Sequence, residues 1–129
     1  MKILYFFFLI VLQMIFHPAL SAAELNTKFE MEDRGSGIRL KREYDYFGDT
    51  LKEIRVSLYQ NSDVLLTGYF ASKNDEINKK PFKVIKYQYK NGRLDGKIVL
   101  MNGVVREAYA YRNGEMNLLP KSFVDALNN

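Results

Sequence analysis

The chain has 129 residues and a formal net charge of +4; 47% of its residues are hydrophobic and 14% aromatic, with no Cys, no Trp and a single His. The missing thiols exclude disulfides, thiolate metal sites and Cys nucleophiles, and one imidazole, at position 17, supports neither a zinc site nor a Ser-His-Asp triad once the N-terminal segment is removed. Carboxylate chemistry is all that remains open to an enzyme, in a length that suits one domain.

The first 23 residues read as a secretory leader: Met1 and Lys2 form a positive start, "ILYFFFLIVLQMIF" is a 14-residue apolar run, and "HPALSAA" supplies a break and small residues. Cleavage after Ala23 uses Ser21 and Ala23 as the small-residue positions, and cleavage after Ser21 uses Ala19 and Ser21; the former is preferred. A retained anchor is the competing expectation, although the run is shorter than the roughly 20 residues that span a bilayer. A periplasmic, exported domain is therefore expected. Its residues 24–129 contain no His and must hold together through their core alone.

From Lys28 onward, strand-length stretches rich in Tyr, Phe, Val, Ile and Leu alternate with the turn formers "RGSG" at 34–37, "FGDT" at 47–50 and "QNSD" at 60–63. Such punctuation predicts an all-β antiparallel meander of hairpins, about seven or eight strands in a single domain. The polar stretch "SKNDEINKKP" at 72–81 is expected to be a loop inside that domain, since neither side alone has enough strands for a separate core.

Beyond Pro81, Asn-Gly recurs every 11 residues, at 91–92, 102–103 and 113–114. The pair suits a two-residue type I′ turn, in which both positions need positive φ. Strands are predicted at 82–90, 93–101, 104–112 and 115–119. Uninterrupted pairing from these turns sets Lys90 opposite Arg93 and Gly96 between Tyr87 and Tyr109, whose rings would cover the missing side chain. The same register gathers Ile85, Tyr87, Tyr89, Leu94, Gly96, Ile98, Leu100, Val105, Tyr109, Tyr111, Met116 and Leu118 on a core face, with Glu107 its odd member. The opposite face carries Lys86, Lys90, Arg93, Lys97, Arg106 and Arg112, interrupted by Asp95, Val99, Ala108 and Ala110. After Pro120, "KSFVDALNN" is expected to form a short C-terminal helix packing Phe123, Val124 and Leu127.

Charge is unevenly spread: residues 24–72 hold seven basic and nine acidic side chains, residues 73–129 eleven and six. The six cations are thus candidates for an acidic partner or an anionic surface, against the alternative that a solvated strand face shows the same alternation. Nucleic acid is not expected, because of export and because the tyrosines fall opposite the cations, unlike a stacking platform. The acids Glu30, Glu32, Asp33, Asp49 and Glu53 lack calcium-loop spacing and read as solvated turn residues, so no metal or cofactor is expected. Glu107 is expected to pair with a Lys or Arg at the sheet rim, or to lie where the core thins. No positioned carboxylate pair is evident, so no catalytic residue is named.

The stretch "YKNGRLDGKIVLMNGVVREAYAYRNGEM", from Tyr89 to Met116, resembles the repeats of the YwqK-type antitoxin family, which are MORN-like. Tyr89 with Gly92, Leu94 with Gly96, Gly103, and Tyr111 with Gly114 fall on that pattern, within residues 85–118. Leu100 departs from it, where an aromatic residue is commoner, and "YDYFGDT" and "LYQNSDV" are worn copies. The resemblance implies an open β-meander that binds rather than catalyses. It points to antitoxin and immunity proteins, whose exported versions guard the periplasm against toxins delivered between bacteria, lipase-type effectors among them. The residues expected to meet such a toxin are Lys86, Lys90, Arg93, Lys97, Arg106 and Arg112. The competing expectation is an envelope structural or adaptor protein that binds anionic lipid or a surface complex.

Overall fold

The computed structural model describes residues 24–129; the leader expected over 1–23, with His17, lies outside the described residues. Eight strands follow one another: β1 (Leu25–Gly35), β2 (Ile38–Phe47), β3 (Thr50–Gln60), β4 (Asp63–Phe70), β5 (Lys83–Lys90), β6 (Arg93–Met101), β7 (Val104–Arg112) and β8 (Glu115–Leu118). They form one antiparallel sheet in chain order, the meander that the turn punctuation predicts. Asn91, Asn102 and Asn113 have φ of 54°, 50° and 54°, and the glycines after them 74°, 81° and 78°. Both central positions of each turn are therefore left-handed, as a type I′ turn requires.

The polar stretch after β4 is not a plain loop. It contains a short helix, α1 (Lys73–Ile77), capped by Ser72, whose hydroxyl accepts a hydrogen bond from the Asp75 N–H at 3.1 Å. A Ser side chain satisfying a first-turn N–H is a common way to start a helix. The chain then returns so that β5 pairs with β4, from Tyr69 opposite Lys83 to Leu66 opposite Lys86, and the sheet continues unbroken.

The C-terminal helix α2 (Lys121–Leu127) begins after Pro120 as predicted. Of the three side chains expected to pack, only Val124 is buried, against Val105 and Ala108, with Ile98, Leu100 and Leu119 around them. Phe123 and Leu127 remain 47% and 46% exposed, because two helical turns lying on a flat sheet present only a narrow stripe to it. The Asn128 side chain ties the helix end down: it accepts from the Val105 N–H and donates to the Val105 carbonyl, both at 2.9 Å.

A local irregularity decides which side chains share a face. In the β5–β6 hairpin, Lys90 faces Arg93 and Tyr89 faces Leu94 as the turn dictates, but Gln88 then faces Gly96, leaving Asp95 as an extra residue. The same insertion occurs at Lys52 in β3, Leu65 in β4 and Arg106 in β7, each time at the third residue of the strand leaving a two-residue turn. One extra residue shifts the register by one and moves every later side chain to the other face.

The expected face assignment is corrected accordingly. Gly96, Ile98, Leu100 and Val105 leave the face of Tyr87, Tyr89, Tyr109 and Tyr111, while Lys97 joins it. Gly96 lies between Gln88 and Ala110, not between two tyrosines. A Cβ at Gly96 would stand 2.6 Å from the Tyr109 carbonyl oxygen, so glycine is needed for close backbone approach beside the bulge.

Both helices lie on one side of the sheet. This helix face carries Leu40, Phe70, Val105, Ala108 and the fully buried Ile54. Helix α1 is tied to it by a 2.8 Å ion pair between Glu76 and Arg42, and α2 by Val124. The other side, the open face, has no helix among the described residues. Gly96→Ala is expected to destabilise the fold by about 1–3 kcal/mol, the range for steric strain at such a position, measured by urea unfolding.

Candidate binding surface

The pairing register places Tyr59, Tyr69, Tyr87, Tyr89, Tyr109 and Tyr111 together on the open face, all half-buried. Among the described residues, the exposed large hydrophobics on strands are Leu25, Phe29, Met31, Phe47, Val104, Met116 and Leu118, and all seven point to this same face. The remaining exposed ones, Ile77, Phe123 and Leu127, belong to the helices. An antiparallel sheet usually turns a polar face to solvent. Here the uncovered face mixes these aromatic and aliphatic side chains with charged ones.

The tyrosine hydroxyls are anchored locally. Tyr89 donates to the Val64 carbonyl at 2.7 Å, Tyr109 donates to the Glu107 carboxylate, and Tyr111 donates to the Met116 sulfur at 3.3 Å. Burial pushes the pKa of Tyr69, Tyr87 and Tyr89 above the ordinary phenol value, and the hydrogen bond to Glu107 does the same for Tyr109. These four rings therefore stay neutral near pH 7. Lysines rest over several rings: Lys83 Nζ lies 5.0 Å from the Tyr69 centroid, Lys97 Nζ 4.9 Å from Tyr109 and Lys41 Nζ 5.4 Å from Phe29. Such contacts hold a cation against the negative ring face. Glu107, expected near the core, is exposed on the open face opposite Val99, and its partner is a tyrosine rather than a Lys or Arg.

Beside the tyrosines, β1, β2 and β3 build an ionic cluster on the same face. Asp45, 6% exposed, accepts hydrogen bonds from Thr27 at 2.7 Å and Arg55 at 2.9 Å. Arg55 also lies 3.2 Å from Glu43 and 3.8 Å from Glu53. Burial works against the Arg55 charge, but the hydrogen bond to Asp45 and the neighbouring Glu43 carboxylate outweigh it, and its pKa is raised. Glu53 is raised by burial first and by the Asp45 charge second. It is a member of this cluster and not a solvated turn acid. Glu32 pairs with Arg42 at 3.1 Å, and Asp33 accepts from the Gly35 N–H at 2.8 Å. No group of three or more acids or imidazoles suited to a metal ion exists among the described residues.

The six cations named from the sequence do not form one face. Lys86, Lys90, Arg93 and Arg112 are exposed on the helix face; Lys97 is on the open face, and Arg106 is the extra residue of β7. The bulges at Asp95 and Arg106 cause both departures. Lys90 and Arg93 flank the β5–β6 turn, where they line a shallow groove of about 840 Å³ with Asp95, Tyr111 and Asn113. The separation of tyrosines from cations therefore holds for four of the six and fails for Lys97. The open face itself was not foreseen as a surface. Its visible signal was the alternation Leu25, Phe29, Met31 in β1, which places three apolar side chains on one side of an edge strand.

Together these features describe a one-layer antiparallel sheet with two short helices on one face and a tyrosine-rich second face without a helix among the described residues. Comparison with known protein families, with curated proteins and with solved structures finds no match.

The raised pKa of Glu53 sets a pH dependence. A carboxyl that holds its proton more tightly folded than unfolded favours the fold below its unfolded value, about 4.3, and loses that contribution as pH rises through the folded value. Glu53→Gln removes the burial of this charge. The variant is expected to melt above the parent at pH 7, with the difference shrinking toward zero below about pH 4, the range of the unfolded glutamate. Thermal unfolding across that pH series checks it.

Proposed function

We propose that this chain is a non-catalytic binding protein of the bacterial envelope, an immunity or antitoxin-like protein that neutralises a toxin by stoichiometric occlusion. The contact is made by the open face. The observation that carries this reading is the gathering of the exposed strand hydrophobics and six half-buried tyrosines on the one face without a helix. Tyr brings a large, rigid contact area with a polar tip, and Tyr and Met are enriched where proteins meet. Eight strands about 4.8 Å apart and roughly 30 Å long present on the order of 1,000 Å². That matches the roughly 800 Å² that each partner contributes to a standard interface.

Export to the periplasm and a lipase-type effector as the toxin rest on the leader-like N-terminus and on the repeat resemblance. The four cations of the helix face, Lys86, Lys90, Arg93 and Arg112, steer a partner with an acidic patch rather than forming the contact. The exposure of these four also supports a second reading, an envelope adaptor that meets anionic lipid or a surface complex.

Met116→Asp with Leu118→Asp places charge on exposed positions of the open face and is expected to abolish protection in a toxin-challenge assay while the fold survives. Arg93→Glu with Arg112→Glu is expected to slow association mainly at low salt, without unfolding. Unchanged protection in the first pair would remove the open face from the contact. Co-sedimentation of the parent with phosphatidylglycerol vesicles at low salt, lost at high salt, would decide for the adaptor reading instead.

A further inference from the structure

We infer that β1 is the interface of a two-fold dimer, in which the β1 strands of two copies pair antiparallel about Phe29 and join the two sheets into one. This goes beyond the docking role of the open face and does not depend on it.

The two edges of the sheet differ. β8 is four residues long, and the chain leaves it through Leu119 to Pro120 and α2. β1 is eleven residues long and none of its residues is buried. Its outer side carries the unpaired N–H and C=O groups of an edge strand, a template for another strand. Its side chains alternate in kind: Leu25, Phe29 and Met31 point to the open face, while Lys28, Glu30 and Glu32 point to the helix face. Phe29 is 66% exposed and Leu25 63%.

The charges select the partner and the register. Alternate residues of an edge strand direct their backbone groups outward, so a strand pairing antiparallel with its own copy must be centred on a residue. Centred on Lys28 or Glu30, that side chain faces its own copy. Centred on Thr27, Glu30 faces Glu24; centred on Met31, Glu30 faces Glu32. Each of these sets like charges opposite one another, which is destabilising. Centred on Phe29, Lys28 of each copy faces Glu30 of the other, twice by symmetry, and Phe29 meets Phe29 on the open face. Among the described residues, neither Lys28 nor Glu30 forms a salt bridge. A lysine on an edge strand ordinarily discourages pairing; here the glutamate two residues on supplies its counter-charge in a second copy. The two-fold axis stands perpendicular to the sheet, so both open faces lie on one side of the joined sheet.

Sedimentation equilibrium of the purified protein tests the inference. The parent is expected to dimerise. Lys28→Glu and Glu30→Lys, each alone, replace two opposite-charge pairs with two like-charge pairs and are expected to weaken the dimer by about tenfold or more. Mixing the two variants restores both pairs in a heterodimer, which is expected to form at the parent's affinity. Phe29→Cys, in a chain without other cysteines, is expected to give a disulfide-linked dimer on mild oxidation, since directly opposed residues lie within disulfide reach. Thr27→Cys, placed opposite Met31, is not. A monomeric parent, single variants that dimerise as the parent does, or a mixture that stays monomeric would each overturn the inference.

Discussion

The extra residue after a tight turn is the constraint on which this molecule depends. Asp95 moves the rest of β6 to the opposite face, and Arg106 then does the same in β7, so the second shift reverses the first. Aliphatic Ile98, Leu100, Val105 and Ala108 are thereby delivered to the side where Val124 covers them. Tyr109 and Tyr111 rejoin Tyr87 and Tyr89 on the other. Without the two shifts, aliphatic and aromatic side chains would compete for one face, and α2 would lie on Lys97 and Val99. Bulges also increase local twist, which helps a broad single sheet avoid the flat geometry that favours aggregation.

A sheet one layer thick has little interior. Ile54 is the largest side chain buried completely, and much of the remaining packing is shared between strands and two short helices. Polar cross-strand groups complete it on the open face, where Thr27, Asp45 and Arg55 link β1, β2 and β3, and Ser57 meets Thr67 at 3.0 Å between β3 and β4. Such buried polar pairs add little net stability but disfavour other registers, since a slip would leave Asp45 buried without partners. Every strand pairs with its chain neighbour, so the contacts are local and inexpensive in loop entropy. The same thinness that limits the core leaves one face without a helix among the described residues.

Legibility followed the strength of the local chemistry. The Asn-Gly turns were readable because both positions must adopt positive φ, and with them the bounds of β6 and β7 followed to the residue. Helix α2 was announced by Pro120 and the spacing of its apolar residues. Helix α1 was missed although Ser72 and Asp75 stand at cap spacing, because five residues offer almost no periodicity. The bulges were invisible: Lys52 and Arg106 are basic, Asp95 is acidic and Leu65 is aliphatic, so no common residue type marks them. That one omission misplaced Gly96 and Lys97, gave Glu107 the wrong cross-strand neighbour, and split the six cations between a face, a tyrosine ring and a bulge.

Local sequence by itself determined where the chain turns, how long the strands of the second half are, and that they pair as hairpins in chain order, since these follow from the φ demands of two residues and from alternation within one strand. Which side chains share a face was decided only in the assembled sheet, because register is a relation between strands and one unpaired residue reverses it. The tyrosine face, the burial of Asp45 beside Arg55, and the exposed edge of β1 all arise at that level.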